Sequence, residues 1–173
     1  MKQETKKMLG ASFQGFRMPR YSEIPNVGLY LEQAAKYISG YLAPLGDCAM
    51  TSSMISNYVK RGLIASPVKK QYTRDQIAYL FFIAVGKNIL SLDGLSNFFR
   101  VQQHSYSLEV AYDYFCDQFE ATLQFTFENT DTIEDINDNA SDEKRLLFTC
   151  IAAVVSKVYV EKCLEAIAAG ETE

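Results

Sequence analysis

The stretch "TSSMISNYVKRGLIASPVKKQYTRDQIAYL", residues 51–80, carries the strongest structural signals of this 173-residue chain. Its small polar start offers N-cap oxygens for a helix that we expect over 51–61. Gly62 is a typical residue after the last turn of a helix, because glycine adopts a left-handed conformation without steric cost. A basic segment with one proline follows over 65–71, and it fits either a loop or a small β-hairpin.

A second helix is predicted directly after this basic segment. Thr73 and Gln76 have the spacing of a capping box, in which each side chain bonds the backbone N–H of the other residue. Ile77, Leu80, Phe81 and Ala84 then recur at helical intervals, which predicts a helix that is ended by Gly86 and Asn88. The same periodicity predicts further helices over about 28–43 and 92–103.

The C-terminal part of the chain has the pattern of two longer helices. The first carries an apolar stripe with a period of 3.6 residues over 108–126, and the second begins at Ser141 and is apolar on a broad face. We expect this last helix to be buried centrally or shared with a partner chain. Residues 129–141 between the two helices form an acidic loop. The fold class predicted for the whole chain is all-α, with room for one small β-hairpin.

Charge divides the chain into two parts. Residues 1–104 contain 13 Lys and Arg against 6 Asp and Glu, a net charge of +7, whereas residues 105–173 contain 4 against 15, a net charge of −11. Together with the helix pattern, this predicts a flexible segment over 1–22, a helix-turn-helix domain over 23–104 and an acidic two-helix region over 105–173. The basic part is the candidate for binding a polyanion. An acidic surface that only keeps the second part soluble would give the same division.

Residues for enzyme chemistry or metal binding are scarce. The chain has a single histidine, His104, and its four cysteines form no CxxC pair, so zinc-site spacing is absent. The acidic loop places Ala140 and Leu146 where a calcium-binding loop needs glycine and glutamate. We therefore predict no enzyme activity, no metal and no cofactor. The unpaired cysteines and the lack of a signal peptide or membrane span favour the cytoplasm.

The pattern around the 51–61 helix is typical of a DNA-reading element. If its apolar residues Met54, Ile55, Tyr58 and Val59 face the core, the opposite face is polar and can enter a major groove. Serine and asparagine can bond base edges, and cations beyond the helix end can contact phosphates. The predicted DNA-binding residues are Ser52, Ser53, Ser56, Asn57, Lys60, Arg61, Lys69, Lys70, Tyr72, Thr73 and Arg74.

The order of these features over residues 50–95 resembles the winged helix-turn-helix of MerR-type regulators. The resemblance is carried by the small polar helix start, Ile55 with Tyr58, Gly62-Leu63, a basic wing ending in Tyr72, and the "SL" at 91–92. It implies that the 51–61 helix reads DNA and that the basic segment is a wing. The chain has Ser56 where that family usually has arginine. Over about 19–100 the chain also resembles a bacterial family of unknown function with such a core.

Two functions are compatible with this reading. The first is a DNA-binding transcriptional regulator that acts as a homodimer on double-stranded DNA, with 105–169 pairing the subunits or holding a small-molecule effector. The second is a non-enzymatic protein-interaction module on a helix-turn-helix scaffold, since a fold does not fix a function. No residue pattern selects an effector, an operator or a pathway.

Overall fold

The computed structural model describes residues 8–102, 106–128 and 141–169. It confirms an all-α chain, in which the described strands are only two residues long. The chain divides into two compact units, one formed by residues 18–116 and the other by 1–17 together with 117–173. The acidic loop predicted after residue 128 lies almost entirely outside the described residues, as does His104.

The unit of residues 18–116 consists of helices and a minimal antiparallel sheet. Two 3-10 turns, Tyr21–Glu23 and Ala43–Leu45, accompany the main elements. In chain order these are β1 (Leu29–Tyr30), α1 (Leu31–Leu42), α2 (Ser52–Lys60), β2 (Gln71–Tyr72), α3 (Arg74–Gly86), α4 (Leu92–Gln102) and the first part of α5 (Leu108–Glu128). In the sheet Leu29 pairs with Tyr72, and Tyr30 pairs with Gln71.

Local capping chemistry fixes the bounds of α2. The Thr51 hydroxyl accepts a hydrogen bond from the Met54 N–H at 3.1 Å, as the sequence predicts for an N-cap. At the other end Gly62 has a φ of 73°, and the N–H of Leu63 reaches back to the carbonyl of Tyr58 at 3.0 Å. This is the glycine-dependent termination that Gly62 predicted.

Helix α3 is the centre of this unit. Its residues Ile77, Ala78 and Leu80 to Val85 are all buried, so the helix has apolar contacts on every side. Aromatic rings supply much of that packing: Phe82 stacks on Phe115 with ring centroids 4.3 Å apart. Burial on all sides, rather than on one stripe, identifies α3 as the helix around which the unit is packed.

The first predicted helix begins later than the periodicity suggests. Leu29 and Tyr30 fall inside the range predicted from apolar spacing, but they form β1, and α1 starts at Leu31. The partner strand lies some forty residues away in sequence. Because helical periodicity reports only local contacts, it could not reveal this pairing.

The second unit combines the N-terminal residues with the rest of α5, from Asp117, and with the last helix. Residues 8–11 are helical, and Phe13 lies 4.3 Å from Phe127 between ring centroids. Helix α6 (Asp142–Ala168) begins at Ser141, whose hydroxyl accepts from the Lys144 N–H. Its buried residues include Ile151, Val154, Val155 and Val158. Among the helices that the structure describes, none has an apolar run long enough to cross a membrane.

Candidate nucleic-acid interface

The exposed face of α2 is small and polar. Ser53, Ser56, Asn57 and Lys60 are exposed, and Ser52 is half-buried. Ile55 is fully buried and anchors the helix to the unit. Met54 was predicted to face the core, but its side chain is 38% exposed and lies at the edge of the polar face. The prediction for Met54 was wrong because only Ile55 of this nine-residue helix is deeply buried, so the buried side is too narrow to include Met54.

The connection between α1 and α2 is held in place by side chains. The Ser39 hydroxyl donates to the Met50 carbonyl and accepts from the Met50 N–H, both at 2.9 Å. Lys87 donates to the Asp47 carbonyl, and the Asn88 amide contacts the Cys48 sulfur at 3.2 Å. These contacts come from α1 and from the end of α3. A connection that is long for a helix-turn-helix is therefore anchored on two sides.

The basic segment after α2 is a tight hairpin. Val68 and Gln71 exchange two backbone hydrogen bonds of 3.1 and 2.9 Å. The two residues between them, Lys69 and Lys70, have φ angles of 51° and 65°. Two consecutive left-handed residues in a two-residue loop are the signature of a type I′ turn. Since Gln71 also pairs with Tyr30, the hairpin continues the small sheet.

One glutamine ties this hairpin to α3. The Gln76 amide nitrogen donates to the Ala65 carbonyl at 2.7 Å, and its oxygen accepts from the Thr73 N–H at 2.9 Å. The Thr73 hydroxyl in turn accepts from the Gln76 N–H at 3.3 Å. The predicted capping box is thus confirmed. The sequence did not indicate that the same side chain also holds the start of the hairpin.

Two residues of the predicted DNA-binding set have structural contacts instead. Tyr72 is only 4% exposed, and burial raises the pKa of its hydroxyl. The Arg74 guanidinium donates to the carbonyls of Ile24 at 2.8 Å and Ser22 at 3.3 Å, and it lies over the Tyr21 ring. Arg74 therefore joins the N-terminal segment of this unit to α3.

Four cations of the predicted set remain available. Lys60, Arg61, Lys69 and Lys70 are exposed, and none of their side chains has an ion pair or hydrogen-bond partner within the described part of the chain. The carboxylate of nearby Asp75 accepts a hydrogen bond from the Tyr21 hydroxyl. That bond, followed by burial, raises the pKa of Tyr21 to about 12. Among the described residues, no carboxylate forms an ion pair with any of these four cations.

An open groove of about 670 Å³ lies beside the hairpin in the same unit. Its lining includes Leu63, Val68, Tyr79, Phe99 and Arg100. No group of three or more potential metal ligands occurs among residues 8–102, 106–128 and 141–169. The groove provides room for a small molecule, but its mixed lining does not select a chemical class.

Sequence reasoning missed the residues that position this surface. Ser39, Lys87 and Asn88 all act on the backbone of the α1–α2 connection. Only Lys87 and Asn88 had a local signal, since they follow the end of a predicted helix. Contacts of this kind depend on which turn faces which helix, and a single sequence does not contain that information.

Comparison with known proteins identifies a family for the larger part of this chain. The model of DUF1836, a domain of unknown function, matches residues 19–115, which is more than half of the 173 residues. The chain therefore belongs to this family. No curated protein and no solved structure matches it.

Proposed function

We propose that this member of the DUF1836 family is a transcriptional regulator that binds double-stranded DNA through a MerR-like winged helix-turn-helix. In this proposal α1 and α2 are the two helices of the motif and the 68–71 hairpin is the wing. The observation that carries the proposal is the coincidence of an exposed polar helix face with four exposed, unpaired cations. The polar helix face can read base edges, and the cations can neutralise phosphates.

The backbone of the wing adds weight to this proposal. A type I′ turn strongly prefers Asn-Gly, because both central residues need positive φ. Lysine in the left-handed region costs about 1 kcal/mol or more for each residue. Lys69 and Lys70 therefore lower the stability of the hairpin while placing two ammonium groups at its tip. A contact with phosphate gives a reason for lysines at this position that folding alone does not provide.

Separate roles follow for the residues of the surface. Asn57, Ser53 and Ser56 would contact base edges from α2, since asparagine can bond adenine at two points. Lys60, Arg61, Lys69 and Lys70 would contact phosphates, with Ser52 and Thr73 contributing hydroxyl or backbone contacts. Tyr72 and Arg74 are left out of the contact set, because their side chains are used inside the unit.

The alternative is a protein-interaction module on the same scaffold. It is favoured by Ser56, which stands where MerR-type regulators usually have arginine, and by the net negative charge of the chain. The two functions differ in one measurable property. Binding to DNA releases counterions in proportion to the phosphates contacted, so its affinity falls steeply with salt.

The experiment is fluorescence anisotropy of pooled genomic duplexes with the full chain at several salt concentrations. Replacing Lys69 and Lys70 by alanine is expected to reduce the slope of log affinity against log salt by up to about 2. Replacing Lys36 by alanine removes an exposed lysine that is not in the proposed contact set and should leave the slope nearly unchanged. Absence of binding at low salt by a folded sample would reject the regulator.

A further inference from the structure

Helix α6 exposes large apolar side chains along one side. Val160, Leu164 and Ile167 are 54%, 58% and 53% exposed, and Leu146 is 40% exposed. The residues between them on the same side, Thr149, Ala153 and Ser156, are exposed and uncharged. We call these seven residues the α6 stripe. Of the two alternatives expected for this helix, central burial or sharing with a partner chain, central burial applies only to the opposite side, which packs inside its unit.

The spacing of the α6 stripe indicates which kind of structure would cover it. Leu146, Ala153, Val160 and Ile167 recur at intervals of seven residues over about three heptads. A straight helix has 3.6 residues per turn, so a seven-residue repeat, at 3.5 residues per turn, drifts slowly around it. In a coiled coil the two helices wind around each other, and such a repeat then stays in contact with the partner helix. The stripe spans about 30 Å at 1.5 Å per residue. A long helix therefore fits it better than a loop or a small ligand.

We propose that the α6 stripe pairs with the same stripe of a second copy of this chain, in antiparallel orientation. Six of the seven positions are symmetric about the midpoint between residues 156 and 157; the exception is Ser156, whose antiparallel counterpart is Lys157. Antiparallel pairing sets Leu146 against Ile167, Thr149 against Leu164, and Ala153 against Val160 of the other copy. The last two pairs each combine a smaller with a larger side chain, which fills space without crowding.

A parallel pair would be less well matched. In register, Thr149 and Ala153 would each meet their own copy and leave space between the helices. Opposed helix dipoles also favour the antiparallel arrangement. The size pattern and the dipoles thus agree on one orientation.

The charges of α6 fit a second copy rather than an anionic partner. The range Asp142–Ala168 contains four acidic and four basic residues, so the helix has no net charge. Lys157 pairs with Glu161, and Lys162 pairs with Glu165 at 2.8 Å, which neutralises side chains within the same helix. Two such helices can approach without like-charge repulsion. The lack of net positive charge removes the attraction that phosphate or an anionic membrane would need.

Light scattering coupled to size-exclusion chromatography tests the interface. The chain has a mass of 19.5 kDa, so we expect a dimer of about 39 kDa. Val160→Glu should weaken the dimer at least about 100-fold, because each dimer then buries two carboxylates. Val110→Glu is the matched control, since Val110 is 56% exposed in α5, and it should leave the dimer intact. A monomeric wild type, or a Val160→Glu dimer of unchanged affinity, would overturn the proposal.

Engineered cysteines test the orientation. Cys150 and Cys163 are first replaced by serine, while Cys48 and Cys116 are fully buried and remain. Ala153→Cys together with Val160→Cys should give a covalent dimer on mild oxidation. Either substitution alone should not, because the two copies of one position then lie about 10 Å apart along the helix axis. Cross-linking by each single variant would instead indicate parallel pairing and reject the antiparallel interface.

This interface does not depend on DNA binding. Failure of the dimer test would leave the salt-dependence experiment unaffected, and a dimer that binds no DNA would reject only the regulator. The two proposals can therefore be judged separately by measuring mass and anisotropy on the same sample.

Discussion

Replacing Ser39 by alanine should show how strongly a single hydroxyl holds the connection between α1 and α2. That hydroxyl bonds both the N–H and the carbonyl of Met50, each at 2.9 Å. Neither Met50 group has another hydrogen-bond partner in the described part of the chain. The substitution therefore removes two bonds and leaves two polar groups without their partner.

The magnitude follows from these two bonds. A net hydrogen bond contributes about 1 kcal/mol, and a buried group left unsatisfied costs about 1–3 kcal/mol. The site is only partly buried, so water can compensate some of the loss. We expect the free energy of unfolding to fall by about 2 kcal/mol. For a chain of this length that corresponds to a decrease in Tm of about 4–8 °C.

Thermal unfolding followed by circular dichroism measures this change. Ser39→Thr keeps the hydroxyl and should recover most of the lost stability. Ser53→Ala removes an exposed hydroxyl on α2 and should shift Tm by less than 2 °C, about 0.5 kcal/mol or less. If Ser39→Ala behaves like Ser53→Ala, the Met50 bonds do not stabilise the connection and the reasoning is refuted.

Three further outcomes are expected for residues of the unit 18–116. Lys69→Asn with Lys70→Gly should raise stability by about 1 kcal/mol in urea unfolding while weakening DNA binding, because the turn becomes relaxed and loses both charges; a loss of stability would contradict the turn assignment. Gln76→Glu keeps the cap but loses the donor to the hairpin, so hydrogen exchange at the Gln71 amide should accelerate, whereas unchanged protection would show that Gln76 does not hold the hairpin. The raised pKa of Tyr21 favours its protonated form in the folded state, so its contribution to stability is present below pH 10 and is lost as pH rises towards about 12. Tyr21→Phe should reduce this loss of stability at alkaline pH. If the variant and the wild type have the same dependence of stability on pH, the Tyr21–Asp75 bond does not cause the loss.

The local parts of the fold could be predicted from the sequence. Thr51, Gly62 and the Thr73 capping box act within one helical turn, and the structure contains each of them as expected. The apolar spacing over residues 77–84 also predicted a helix at α3, although not its burial on every side. These features depend on contacts between residues that are close in sequence, which is the information that periodicity contains.

Non-local contacts were beyond that information. Arg74 looked like a phosphate contact, but it bonds carbonyls about fifty residues earlier in the chain. Tyr72 ends a basic segment and looked exposed, although its pairing with Leu29 brings it into the core. In both cases the residue type correctly indicated which kinds of contact the side chain can make. Which of these contacts the side chain makes depends on the residues that the tertiary fold places next to it.

The hairpin tip has a consequence for proteolysis. Trypsin cleaves after lysine, and Lys69 and Lys70 lie in an exposed turn closed by two backbone hydrogen bonds. A protease needs an extended substrate, so the left-handed turn must open before it can be cut. With so few bonds to break, the tip should be among the first sites nicked in the native protein. A bound duplex would shield both lysines, and the rate of this single cut would then report occupancy of the site without any label.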